Sequence, residues 1–178
     1  AAALVIHFTE PSPRALLPAG PGLLLAGLVT SIITISVVYP TELVWQALLT
    51  WLHLPTDKQE MVEIFIRTAS PLRLLGLTFM AAVLAPIGEE LVFRAGLYRY
   101  LRGRLPSWAA LLLPALLFAS LHVDRSTWKG LVTVAPLTAL GILFSLAYQR
   151  TGRISVPIVA HALFNLHTIA LILLGLND

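Results

Sequence analysis

Cysteine is absent from all 178 residues, and with it go disulfides, thiolate nucleophiles and Cys-ligated metals. Charge is scarce as well: Asp, Glu, Lys and Arg make up 12% of the chain, against 57% hydrophobic residues and a mean hydropathy of +0.84. A soluble domain carries about twice that share of charge, so the bilayer is the expected solvent. The net charge of +3 is scattered between the apolar runs without forming a patch, which sets nucleic acid aside as a partner. Several protease signatures are also missing. There is no H-E-x-x-H zinc helix, no G-x-S-x-G elbow and no Asp inside an apolar run to build an aspartate dyad. No internal repeat or low-complexity segment is visible. The first residue is Ala1 rather than Met, which reads as a piece of a longer chain, and the first apolar run is too long for a signal-peptide core.

What is present is apolar length. A helix of about 20 apolar residues crosses the hydrocarbon core, and five regions approach or reach it: Ala15 to Pro40, Leu74 to Gly88 continuing into EELVFR, Leu105 to Val123, Gly130 to Gln149, and Ile154 to Leu176. Leu43 to Leu54 is shorter and carries Trp45, Trp51 and His53, the pattern of an interfacial helix. The expected fold is therefore all-α: a polytopic transmembrane helical bundle of about five spans plus an interfacial helix, an integral, multi-pass membrane protein, placed in the plasma membrane if the source is bacterial. Pro11, Pro13 and Pro18 predict an irregular entry, and residues 55 to 73 a polar connection with a short amphipathic helix. The main boundary falls near Pro71. Residues 1–70 form a leading helix and connection, and residues 71–178 a helical core. Pro86, Pro114, Pro136 and Pro157 place one proline in each later span, predicting kinks. The links holding Arg99, Arg102, Arg104, Arg150 and Arg153 are the more positive, which favours them on the cytoplasmic side.

Within the spans, ionisable residues are few and each needs a partner or a task. Glu90 and Arg94 stand at i, i+4 with the acid first, the favourable order for an ion pair on one helix face. Glu89 is turned about 100° away and has no local cation; it either reaches water, shares Arg94 or faces a polar cavity. His122 closes the next span in FASLH. Both Glu89 and His122 lie about 25 Å of helix rise from the link near Leu105, so antiparallel neighbours would set them at similar depth. Phe118, one turn before His122, can form an apolar wall or simply pack. In HALFN, His161 and Asn165 share a face, although Asn inside an apolar helix also serves as interhelical glue. His161 lies only about 15 Å from its link, so tilt or a break near Pro157 is needed for it to meet the other two. His167 is turned away and reads as structural. A carboxylate, two imidazoles and an amide suffice to activate water and stabilise an oxyanion during amide hydrolysis.

EELVFR fits E-E-x-x-x-R, FASLH fits F-x-x-x-H, and HALFN fits H-x-x-x-N. In this order on successive apolar helices, the three resemble the CPBP family of CAAX prenyl proteases and bacteriocin-processing enzymes, also called the Abi family. The resemblance covers about residues 71 to 176. It implies an intramembrane endopeptidase in which Glu89 activates water with help from His122. It also implies that Glu90 and Arg94 form a supporting pair, and that His161 and Asn165 position substrate and stabilise the oxyanion. The implied partners are the lipid bilayer and a peptide or protein substrate, either a prenylated C-terminal peptide or a bacteriocin-like one. Metal use stays open: His122, His161 and Glu89 are candidate ligands for zinc or another divalent ion, and a metal-free glutamate mechanism is the other reading. A non-enzymatic membrane scaffold or immunity protein, and a small proton-coupled transporter, are the competing classes.

Overall fold

The computed structural model describes residues 21–57, 60–124 and 127–176, all of them helix, turn or loop. The prolines at 11, 13 and 18 and the start of the first expected span lie outside those residues. Among the described residues six helices follow in order: α1 (Pro21–Trp51), α2 (Glu60–Arg67), α3 (Pro71–Arg102), α4 (Ser107–Ser120), α5 (Val134–Thr151) and α6 (Ser155–Leu173). Four of these, α1, α3, α5 with its preceding turn, and α6, are long and apolar enough to cross a bilayer. The chain is an all-α, multi-pass integral membrane protein. The fifth expected span, α4, is an apolar helix of 14 residues, about 21 Å long and short of a 30 Å core.

Lipid explains the exterior. Leu24, Leu72, Leu75 and Val92 are each at least 60% exposed, which water would penalise and hydrocarbon does not. Backbone and hydroxyl groups in such helices must be satisfied internally. Accordingly Thr30 and Thr34 donate to Ala26 and Thr30 carbonyls one turn back, and Thr41 donates to Val37.

The interfacial helix expected at Leu43 to Leu54 is not a separate element: the helix runs through Pro40 as far as Trp51. One lost hydrogen bond at Pro40 is offset by packing. Leu49 is 1% exposed, and the Trp45 indole N–H donates to the Leu131 carbonyl at 3.0 Å, fastening this end of α1 to the turn before α5. The polar connection does contain its short helix, α2, whose Phe65 packs on Ile169 and Ile172 of α6. Two of the four expected kinks also dissolve. Pro136 and Pro157 occupy the first turns of α5 and α6, where an N–H has no helical partner to lose.

In the bundle α1 packs on α5 and α6, and α4 packs on α5. The main core joins Val38, Phe93, Phe118, Phe144 and Phe164 from five helices. Two close approaches shape it. A Cβ added at Gly27 would lie 2.5 Å from Val159 Cγ1, and one at Gly141 would lie 2.9 Å from Ala115 Cβ, so glycine is what lets α1 meet α6 and α5 meet α4.

Candidate active site

α3 departs from α-helical geometry twice, with π-helical turns over Met80–Leu84 and Leu91–Tyr98. EE sits between them. The first π turn has a readable cause. Ala85 N–H donates five residues back, to Met80 O; in the same register Ala81 O would be met by residue 86, which is proline and has no N–H. Asn165 of α6 fills the gap, its Nδ2 donating to Ala81 O at 2.7 Å. Pro86 and Asn165 are therefore two halves of one interhelical contact.

Around Glu90 the structure builds a buried polar knot. Glu90 and Arg94 have 0% and 1% side-chain exposure, and Arg94 Nη1 donates to Glu90 Oε1 at 2.9 Å. The guanidinium lies over the rings of Phe118 (5.1 Å) and Phe144 (5.4 Å), and Nη2 reaches the Gly141 carbonyl at 3.4 Å. A planar, delocalised cation is suited to such stacking. His161 Nδ1 lies 2.9 Å from the same Glu90 oxygen. A carboxylate only accepts, so Nδ1–H donates and Nε2 is the nitrogen turned the other way.

That nitrogen is 3.6 Å from Glu89 Oε2. Glu89 itself, 30% exposed at the side chain, opens on a cavity of about 430 Å³ lined also by Phe118, His122, His161 and Asn165. His122 sits in the turn just after α4. Its Nδ1 is 2.9 Å from the Phe118 carbonyl, again forcing Nδ1–H to donate, and its ring leans on Phe118 at 4.7 Å between centroids. His161 nevertheless meets Glu89, although it is only the seventh residue of α6 and Pro157 does not break that helix. His167 lies elsewhere, edge-on to Tyr39 at 5.8 Å. Ser120 donates to Leu117 O.

The family profile described as type II CAAX prenyl endopeptidase, Rce1-like, matches residues 71–167, the segment holding Glu89, Glu90, Arg94, Phe118, His122, His161 and Asn165. The chain belongs to the Rce1-like family. Among curated relatives of this Rce1-like chain, an Escherichia coli protein named "Uncharacterized 24.3 kDa protein" is 33% identical over 81 residues, 44% of this chain and 36% of that one. A Bacillus subtilis protein named "Putative membrane peptidase YdiL" is 34% identical over 86 residues, 48% of this chain and 33% of that one. The Lactococcus lactis "UPF0177 protein YbdI" is 32% identical over 87 residues, 49% and 44% of the two chains. The aligned stretches thus span less than half the length of these relatives. No solved structure matches the chain.

Toward a metal, the Rce1-like cluster offers one imidazole nitrogen from each of His122 and His161 and the Glu89 carboxylate on one cavity. Among the described residues no three His, Asp or Glu side chains converge as ligands. His161 Nδ1 and His122 Nδ1 are both engaged, leaving one imidazole nitrogen each. The cavity also contains residues that the motifs do not name: Tyr39 and Glu42 of α1, and Val62 and Phe65 of α2. Glu42 carried a signal, being the only charged residue in the 31 of α1. Val62 and Phe65 carried none, because an apolar residue facing a cavity reads the same as one facing lipid. Outside the spans, Lys129 Nζ donates to Glu63 Oε1 at 3.1 Å and holds the Glu63 carboxyl below its usual range, with Arg67 adding to the effect.

Proposed function

We propose that the chain is an intramembrane endopeptidase that hydrolyses peptide bonds near the membrane surface with water activated by Glu89. The observation that carries this reading is the meeting of Glu89, His122 and His161 on one cavity inside an apolar bundle, where an unused carboxylate and two imidazoles would be costly. The Glu89 carboxylate takes a proton from water as the oxygen attacks the carbonyl carbon. The proton then passes from Glu89 to the leaving nitrogen as the C–N bond breaks, giving a carboxylic acid and an amine. His122, with Nδ1–H committed to Phe118 O, presents Nε2 to accept a hydrogen bond from the water and fix its approach. His161 and Asn165 stabilise the oxyanion. Asn165 has a second amide hydrogen beyond the one given to Ala81, and His161 can donate from Nε2 only when its ring carries both protons. Glu90 and Arg94 touch no substrate; they hold His161 in place.

The substrate class follows from the family: a lipidated C-terminal peptide of the CAAX type, or an unmodified membrane peptide of the bacteriocin-processing type. The test is cleavage of both kinds of peptide by purified protein in liposomes, beside Glu89→Gln and beside a chelated sample later resupplied with zinc. Cleavage lost in Glu89→Gln and indifferent to chelation supports the metal-free route. Cleavage that stops with chelator and returns with zinc assigns His122, His161 and Glu89 to a metal. Cleavage that survives in Glu89→Gln refutes the mechanism.

A further inference from the structure

The cavity has a polar end and an apolar end. Glu89 of α3 and His161 of α6 meet at one; along α6 the lining continues through Asn165 and Ile169 to Ile172, while α3 runs the opposite way through Ala81 to Leu77. Helical rise makes this slot about 16 Å long on the α6 wall, the length of about five residues of extended peptide at ~3.3 Å each. At the far end stands Phe65 of α2, 3% exposed and packed on Ile169 and Ile172. α2 precedes the segment matched by the family profile and is held from outside. Lys129 bonds Glu63 at 3.1 Å, and Gly130 N–H donates to Asp57 O at 3.0 Å.

We propose that Phe65 is the end stop of an apolar subsite that receives an extended, uncharged peptide segment of about five residues on one side of the bond to be cut. α2 then sets substrate length. The inference rests on the protease reading for the position of the bond, but the slot and its stop are geometric. Asn165 and Thr168 of α6, with Tyr39 and Glu42 of α1, interrupt the apolar wall, which suits a chain bearing amides better than a bare hydrocarbon tail. The ion pair and backbone bond outside α2 keep the stop from swinging away when the slot is filled.

The test is binding of fluorescent peptides to the Glu89→Gln protein in liposomes, where nothing is turned over. The series has apolar segments shorter than, equal to and two residues longer than the slot. Affinity should peak at the matched length. Phe65→Ala should move the peak to longer segments, improving the longer peptide about tenfold against the matched one, and Phe65→Trp should move it the other way. Ile66→Ala, on the exposed side of α2 (67% exposed), should leave it in place. Thermal unfolding checks that each variant is folded; if Phe65→Ala is not, Phe65→Leu and Phe65→Trp carry the comparison. A peak that stays fixed in folded Phe65 variants overturns the proposal, and so does a fatty-acyl competitor that displaces the peptides as well as they displace one another. Cleavage by the native chain is scored separately. A peak that moves with no cleavage of any peptide sinks the protease reading and leaves the subsite standing; Glu89-dependent cleavage with an unmoved peak does the reverse.

Discussion

Removing the Asn165 amide and then restoring a donor from the other helix tests the contact between α3 and α6. Asn165→Leu keeps the volume close but leaves Ala81 O without its 2.7 Å partner. An unmet buried carbonyl costs about 1–3 kcal/mol, and interhelical bonds in membranes fall near the lower end of that range. Pro86→Ala supplies a backbone N–H in the register that proline interrupts, within reach of Ala81 O in the π turn. In the native background Pro86→Ala should do little, because Asn165 already occupies that oxygen. In the Asn165→Leu background it should recover about half or more of the lost stability, a coupling of about 1 kcal/mol. The assay is thermal unfolding of the four proteins in one detergent, read as a double-mutant cycle. If the two substitutions add with no coupling, the freed carbonyl is not what Asn165 serves, and the account of the π turn is wrong.

Further outcomes follow from the polar knot and the helix contacts. Arg94→Met strands the Glu90 carboxylate and should cost about 3–5 kcal/mol, whereas Glu90→Gln with Arg94→Met should be more stable than Arg94→Met alone; equal unfolding temperatures for the two would refute the pairing. Gly141→Ala puts a methyl 2.9 Å from Ala115 Cβ and should destabilise by about 1–3 kcal/mol, with Gly141→Ala/Ala115→Gly recovering part of it in the same unfolding assay. Glu89→Gln should unfold near the native temperature while losing about a thousandfold or more in cleavage rate, since the proposed mechanism gives its carboxylate to the reaction and not to the core. The Glu63 carboxyl is held low by Lys129, so its contribution is present above the usual carboxylate range and fades as pH falls through the lowered value. Native and Glu63→Gln proteins should therefore differ in α2 protease protection near neutral pH and converge in acid.

The spans and the chemistry-bearing residues were legible because membranes make charge conspicuous. Glu90 and Arg94 could be paired from spacing alone, and Glu89, His122 and His161 stood out against apolar surroundings. Their distances were not legible: two π turns flank the EE pair, and nothing in the spacing of EELVFR announces a five-residue register. The error at Leu43 to Leu54 arose because Trp45 and Trp51 look alike in sequence. Trp51 is an exposed aromatic at the helix end, but Trp45 is fixed to Leu131 O inside the bundle. Pro136 and Pro157 misled similarly, since their effect depends on where a helix starts, and one residue in the first turn costs nothing. Phe65 could be found only from the folded cavity, whose wall it joins.

The bond between Arg94 and Glu90 lies within a single helix, and this bears on how the protein is made. Emerging into lipid alone, α3 carries its own countercharge and can enter as a neutral pair before any neighbour arrives. The other partners come later: the Phe118 ring on α4, the Gly141 carbonyl and Phe144 on α5, and His161 on α6. Until α6 is inserted, Glu89 has no imidazole opposite it from that helix and the cavity lacks one wall. A chain held part-way through synthesis would therefore carry the ion pair in the membrane before α6 brings its wall to the cavity beside Glu89.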